Sequence, residues 1–526
     1  MSTRQFLGLD VSTQSISAII VDFKTRKIVY SCSLAYDRYL PHYHTENGVI
    51  RTRDPRRVHS DPLMWVEALD MILEKIKKDG LDLGKIKAIS GSAQQHGSVY
   101  LNKKAGQVLS KLNPERDLKE QLRDIFARKT SPVWMDSSTR DECVEIMKSV
   151  GGEERMARLT GSLAFERFTG PQIRRFYKKE RPLYEKTETI ALVSSFMASL
   201  LLGRIAPLDY GDGSGTNLMD IAGKRWPGQV VAATAPRLFA KLPRLVPSTT
   251  IIGRIHNYFV RRYGFREDTL LNVWSGDNPN SLIGMGVVEA GEAIISLGTS
   301  DTLFAVAKDL NVDCRGEGHV FVAPTGDYMN LVCFKNGSLA RERIRKMFRL
   351  SWLDFSRLLR KTPAGNKGKV ILPWFEPEIV PLVLSPGIRR ILLEKDDAAG
   401  HVRGVVEAQF MSMKIHSAWM KIRPRRLYVT GGASQNKEIL EVIANIFNTP
   451  VYYLKVTKSA ALGAALRASH SYFREKGKNL SWPAITRGFV SYDKARGIKP
   501  EREAVRVYDE LIKFYRACET QALFFS

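Results

Sequence analysis

Long apolar runs are missing from this sequence. The longest, Ile190 to Leu202, contains Ser194, Ser195 and Ser199 and is too short to span a bilayer. It reads as a buried helix. Cysteine is sparse and unpatterned. Cys32, Cys143, Cys314, Cys333 and Cys518 are odd in number and no two have metal-ligand or redox spacing, so a reducing compartment is expected. Met1-Ser2-Thr3-Arg4-Gln5 leads straight into a strand with no signal-peptide core, and Phe524-Phe525-Ser526 is not the peroxisomal Ser-Lys-Leu address. A cytoplasmic protein is therefore expected; a peroxisome-like organelle is the alternative, although its C-terminal signal is absent. Two nucleotide-binding patterns are lacking as well. The glycine-rich stretch Asp209 to Thr216 has no Gly-Lys-Ser/Thr ending, and no GxGxxG loop occurs.

Positive charge is plentiful: the net charge is +25. It is spread in short clusters, Arg174-Arg175, Arg261-Arg262, Arg341 to Arg345, Arg389-Arg390 and Arg425-Arg426. No basic tail, zinc-finger spacing or aromatic-interleaved RNA motif accompanies it. The expected reading is a solvated basic surface with no specific nucleic-acid partner and no membrane. Such a surface also attracts anionic substrates such as a nucleotide triphosphate. With 526 residues, 44% of them hydrophobic, the chain is too long for one core, and two large domains or three smaller ones are expected.

The most informative stretch is Val273-Trp274-Ser275-Gly276-Asp277-Asn278-Pro279. Leu270, Leu271 and Val273 form the apolar run of a buried strand. Gly276 permits a sharp turn. Asn278 is a suitable N-cap and Pro279 suits the first helical position. Asp277 then lies at the C-terminal edge of a sheet and the start of a helix, where open α/β sheets place ligands and where the helix dipole favours a carboxylate. Such a group can take a proton from an attacking hydroxyl. The alternative is that Asp277 only caps the helix.

Two hairpins share one layout. Phe6 to Asp10 and Ile16 to Asp22 flank Val11-Ser12-Thr13-Gln14-Ser15; Ile294 to Leu297 and Thr302 to Val306 flank Gly298-Thr299-Ser300-Asp301. Each tip offers backbone N–H groups and hydroxyls to phosphate, and Asp10 is suited to Mg²⁺. The repetition suggests two related domains, with a boundary near Glu289-Ala290-Gly291. Between the hairpins, Asp61 and Pro62 open an amphipathic helix that Gly80 stops. Gln94-Gln95-His96-Gly97 sits at a strand end, where amides and imidazole suit sugar hydroxyls; a buried structural histidine is the competing reading of His96. Trp134 and Asp136 mark another strand end, and Arg167 is placed to reach a ligand hydroxyl. Later, Arg403 to Met420 reads as a helix. Arg426 to Thr430 reads as a strand ending in Gly431-Gly432, adjacent glycines that let a planar base lie on the backbone. Ala460 to Ala465 forms a small-residue helix segment, and a helix near Val505 to Leu523 closes the chain.

The hairpins, Gly276-Asp277-Asn278, Gly431 to Asn436 and Ala461-Leu462-Gly463-Ala464-Ala465 resemble the FGGY carbohydrate kinases, over most of the chain. Gln94 to Gly97, Trp134 to Ser138, Glu166 to Gly170 and Asp209 to Thr216 are similar to the xylulose kinases of animal type within that family. Glycerol kinases of the family have an Arg-Glu pair where this chain has His96-Gly97. The resemblance implies an α/β fold of two ribonuclease-H-like domains flanking a catalytic cleft. These would be residues 1–290, for sugar and catalysis, and 291–526, for nucleotide, with the last helix packing back on the first domain. It implies ATP and Mg²⁺, and D-xylulose phosphorylated on its terminal hydroxyl. Asp277 would be the base; His96, Arg167, Asp277 and Asn278 would bind sugar. Thr13, Gly298, Thr299, Trp352, Gly431, Gly432 and Asn436 would serve the nucleotide, and Asp10 the metal. Alternatives are a ribulose or polyol kinase of the family, or a catalytically weak sugar-binding regulator, as monomer or homodimer.

Overall fold

The computed structural model describes residues 4–492 and 497–524; the expectations on the extreme terminal residues lie outside them. The chain forms two compact units. The first comprises Met1–Val288, Val320–Tyr328 and Thr457–Val490; the second comprises Glu289–His319, Met329–Val456 and Ser491–Ser526. A single cut at residue 290 therefore differs from this division at Val320–Tyr328 and Thr457–Val490, which both return to the first unit. Helix Arg502–Phe524 belongs to the second unit.

The first unit is built on a sheet with strand order Ile251–Arg254, Leu270–Asn272, Ile86–Ala93, Gln5–Val11, Ser15–Asp22, Lys27–Ala35. Gln5–Val11 pairs antiparallel with Ser15–Asp22, Asp10 opposite Ser17, and parallel with Ile86–Ala93. It is a central strand covered on its faces by packed helices, so nearly every residue is buried and the run reads as continuously apolar. The short strand Ser275–Gly276 extends the parallel side against Ser92 and Ala93. Helix Pro62–Lys78 covers one face; Asp61 accepts from Leu63 N–H, and Trp65, Leu69, Ile72, Leu73 and Ile76 are buried. Helix Ser459–Glu475 covers another surface. Its small residues allow near backbone contact: a Cβ on Gly8 would lie 2.0 Å from Ala461 O, and one on Gly463 would lie 1.8 Å from Asn280 O.

The expected buried helix over Ile190 to Leu202 divides in two. Thr187–Leu192 is a strand paired with Ser98–Asn102, and the helix runs Val193–Leu202. The β-branched Thr187, Thr189 and Ile190 suit the strand. Helical and strand readings of one short apolar run are not separable by periodicity.

In the second unit the strand order is Tyr328–Phe334, Asp301–Ala307, Glu292–Leu297, Arg426–Gly431, Val451–Tyr453. Glu292–Leu297 repeats the earlier arrangement, antiparallel to Asp301–Ala307 and parallel to Arg426–Gly431. The central helix runs Ala398–His416, shifted from the expected Arg403 to Met420 because Asp397 caps it by accepting from Gly400 N–H. Helix Arg502–Phe524 packs on it: Tyr508 donates to Glu407 at 2.7 Å, and His416 lies 2.8 Å from Glu519.

Candidate active site

Asp277 opens the helix Asp277–Gly284, and Gly276 occupies the N-cap position in extended conformation. The expected cap, Asn278, is displaced into the first turn because the pairing of Ser275–Gly276 carries the extended backbone right up to Asp277. Gly276 is required by crowding: a Cβ there would lie 2.2 Å from Gln95 Cγ and 2.9 Å from Asp212 Oδ1. Asp277 therefore does not serve as the cap. Its Oδ1 accepts the Asn278 N–H at 2.8 Å. Burial, then the charge of Asp10, pushes its carboxyl up to about 7, against the pull of backbone hydrogen bonds. Asn278 Nδ2 donates to Gln95 Oε1 at 2.6 Å.

His96 projects from the tip between Ile86–Ala93 and Ser98–Asn102, with a left-handed backbone (φ 71°). Its Nδ1 is 2.6 Å from Gly215 O. A carbonyl only accepts, so Nδ1 carries the proton and Nε2 is left as an acceptor. Burial, then the nearby Arg167 guanidinium, lowers its pKa to about 3, so the ring is neutral at physiological pH. Thr169 donates to His96 O at 2.9 Å, and Phe168 packs edge-on at 4.7 Å. The structure thus brings His96 and Arg167 together, and Asp277 with Asn278.

At the first hairpin tip Asp10 is buried, its Oδ2 accepting from Ser12. Asp10 Oδ1 has no partner among the described residues. Burial raises its pKa while the hydrogen bond from Ser12 opposes the rise. Thr13 Oγ1 receives Trp134 Nε1–H at 2.9 Å. No cage of three His, Cys, Asp or Glu side chains occurs among the described residues. Mg²⁺ needs none, since it is usually held by one or two carboxylates, waters and substrate phosphates. An unpartnered buried carboxylate oxygen beside a hydroxyl-rich turn fits that requirement.

The nucleotide candidates cluster in the second unit. Gly298, Thr299, Trp352, Gly432 and Asn436 all line one cavity of about 670 Å³, together with Leu297, Ser338, Arg341 and Ile439. Trp352, 49% exposed, offers a ring face on the capped helix Trp352–Lys361. Asn436 caps helix Lys437–Phe447 by accepting from Ile439 N–H, and its Nδ2 donates to Ser356 at 2.7 Å. The two glycines differ. Gly431 (φ 94°, ψ 179°) is absent from the lining, and a Cβ there would lie 2.2 Å from Leu297 O. Gly432 has nothing within 4 Å of a Cβ position. One glycine is demanded by the fold; the other leaves open space. Arg341, expected in the solvated basic surface, is instead buried and paired with Asp301 Oδ2 at 2.8 Å and Gln409 Oε1 at 2.7 Å.

Three residues near Asp277 escaped the sequence reading: Gln95 as a partner of Asn278, Asp212 and Arg467. Asp212 is buried, accepts from Ser194, and has Oδ1 unpartnered among the described residues. Burial, then the charge of Asp209, raises its pKa well above the carboxylate range. The amide-rich tip and the acidic loop were visible signals; nothing in the sequence marks Arg467.

Residues 129–284 match the N-terminal domain of the FGGY family of carbohydrate kinases, and residues 293–472 match its C-terminal domain. The chain is 43% identical to xylulose kinase 2 of Arabidopsis thaliana over 90% of its own length and 88% of the relative's. It is 41% identical to the xylulose kinase of Rattus norvegicus over 98% and 97% of the two chains. The crystal structure of xylulose kinase from Rhodospirillum rubrum superposes with a TM-score of 0.84 at 20% identity, covering 99% of each chain; this likeness speaks to fold. A carboxylate raised to about 7 at a helix start, a hydroxyl-rich turn and a glycine-walled cavity accord with both domain matches, and the chain belongs to the FGGY family of carbohydrate kinases.

Proposed function

We propose that the chain transfers the γ-phosphate of ATP to the terminal hydroxyl of D-xylulose, giving D-xylulose 5-phosphate and ADP. The observation that carries the chemistry is Asp277, a carboxyl set near neutrality at the end of a strand and the start of a helix. The relatives named xylulose kinase support the choice of sugar.

Phosphoryl transfer has a loose transition state, so the protein mainly positions reactants and stabilises charge. The attacking hydroxyl gives its proton to the Asp277 carboxylate as its oxygen bonds to phosphorus; the bond from phosphorus to the β–γ bridging oxygen breaks and ADP departs. His96 Nε2 accepts from one sugar hydroxyl, Arg167 donates to another, and Asn278, fixed by Gln95, orients the end that reacts. Gly298 and Thr299 receive phosphate, and the space at Gly432 takes the base against Trp352. Asp10 would hold Mg²⁺, which when bound neutralises phosphate charge. The test is a panel of ketoses and polyols in a coupled ADP-release assay. D-xylulose should give the highest kcat/KM; a higher value for ribulose or glycerol would overturn the assignment.

A further inference from the structure

We infer that Arg467, on the helix Ser459–Glu475, is a positioning residue that clamps the turn carrying Asp277. The proposal rests on the reading of Asp277 as the base. Arg467 is completely buried. Its Nη1 donates to Asn280 Oδ1 at 3.0 Å, and its Nη2 donates to Ser248 O and Val273 O, each at 3.0 Å. Asp209 Oδ2 lies 3.5 Å away and balances the charge. Asn280 passes the restraint on: its Nδ2 donates to Gly276 O at 2.8 Å and to Gly91 O at 3.3 Å.

One guanidinium thus grips the backbone four residues before Asp277 and, through Asn280, the carbonyl immediately before it. The contact with Oδ1 also decides which way the Asn280 amide faces, because guanidinium only donates. A lysine could satisfy one of these acceptors well but lacks the planar fork that serves several at once. The close approach at Gly463 and Gly284 lets the short distance from helix to helix be spanned: a Cβ on Gly284 would lie 1.9 Å from Ser459 O. Arg467 is fully buried and its Nη groups donate to Asn280, Ser248 and Val273, so it acts through the turn.

Displacing reacting groups by about 1 Å costs about a hundredfold in rate. Arg467→Lys should therefore lower kcat by about tenfold to a hundredfold with the KM for ATP unchanged, at a temperature where circular dichroism shows a folded protein. Asn280→Asp keeps the acceptor for Arg467 but loses the donor to Gly276 O, and should show the same fall. The decisive comparison is the double-variant cycle. In the Asp277→Asn background, Arg467→Lys should have little further effect, since there is no base left to position. The proposal is overturned if both single variants fold and keep kcat within about twofold, or if Arg467→Lys lowers kcat by the same factor with and without Asp277. If Arg467→Lys does not fold, Asn280→Asp decides alone by the same criteria. Near-normal kcat for Asp277→Asn would show a failure of the base assignment itself, and the positioning role would fall with it.

Discussion

The acid–base behaviour of Asp277 follows from opposing influences on one carboxyl. Burial and the Asp10 charge favour the protonated form; hydrogen bonds from backbone N–H groups and the helix start favour the carboxylate. The balance sits at about 7. A base must be unprotonated, so kcat/KM for the sugar should rise with pH through about 7. Asp277→Asn should turn over at least about a hundredfold more slowly and lose that pH limb. Linkage gives an independent check. The ordinary carboxylate value is 3.8, so the unfolded chain releases this proton more readily and stability is lost as pH rises from there to about 7. Asparagine has no proton to lose. The variant should therefore melt above the parent at pH 8, with the gap narrowing as pH falls; an equal gap at every pH would contradict the raised pKa. The placement of Asp277 at a strand end and helix start was legible from the Trp-Ser-Gly-Asp-Asn-Pro run, because strand end, glycine and helix start are local features. The places of Asp212 and Arg467 were not, because one lies 65 positions before Asp277 and the other 190 after it, and only the fold brings them to the turn.

Among the elements, the turn Gly431-Gly432 separates packing from binding. At Gly431 the backbone lies in a region essentially restricted to glycine. Gly431→Ala should destabilise the protein by about 1–3 kcal/mol or more, read as a lower melting temperature, because strain and the contact with Leu297 O add. At Gly432 the backbone is ordinary and the space is open. Gly432→Val should keep the melting temperature and sugar binding while raising the KM for ATP by about tenfold, or ~1.4 kcal/mol. An unchanged KM would place the base elsewhere. Sequence alone offered both glycines to the nucleotide, since the identity of a residue does not reveal which direction its missing Cβ would point. The paired hairpins were readable because each is a local, apolar-flanked turn. The boundary between strand and helix at Leu192 was not, for both states there are apolar and fully buried.

For the whole molecule, a net charge of +25 gives a nonspecific attraction to polyanions. Part of the charge is internal: Arg341, Arg403 and Arg467 are buried and paired with acids. The remainder, on this reading, supplies attraction without base recognition. Binding of duplex DNA or RNA, followed by fluorescence anisotropy, should be weak and should fall by about a hundredfold or more as salt rises from about 50 to 200 mM; tight, sequence-selective binding at physiological salt would contradict it. The return of Thr457–Val490 to the first unit bears on synthesis. The ribosome delivers the chain from its N-terminus at about 5–20 residues per second. By the time the first 288 residues have emerged, the helix that seals Gly8 and anchors the Asp277 turn is still unmade. The second unit's central strands and helices appear before the first unit can be finished. Translation order and folding order are therefore decoupled: the first unit to be started is completed only after most of the second has been made, and nascent chains stalled before residue 457 should present the apolar surface around Phe6 and Val21, later covered by Ala461, Ala465 and Phe473, to holding chaperones.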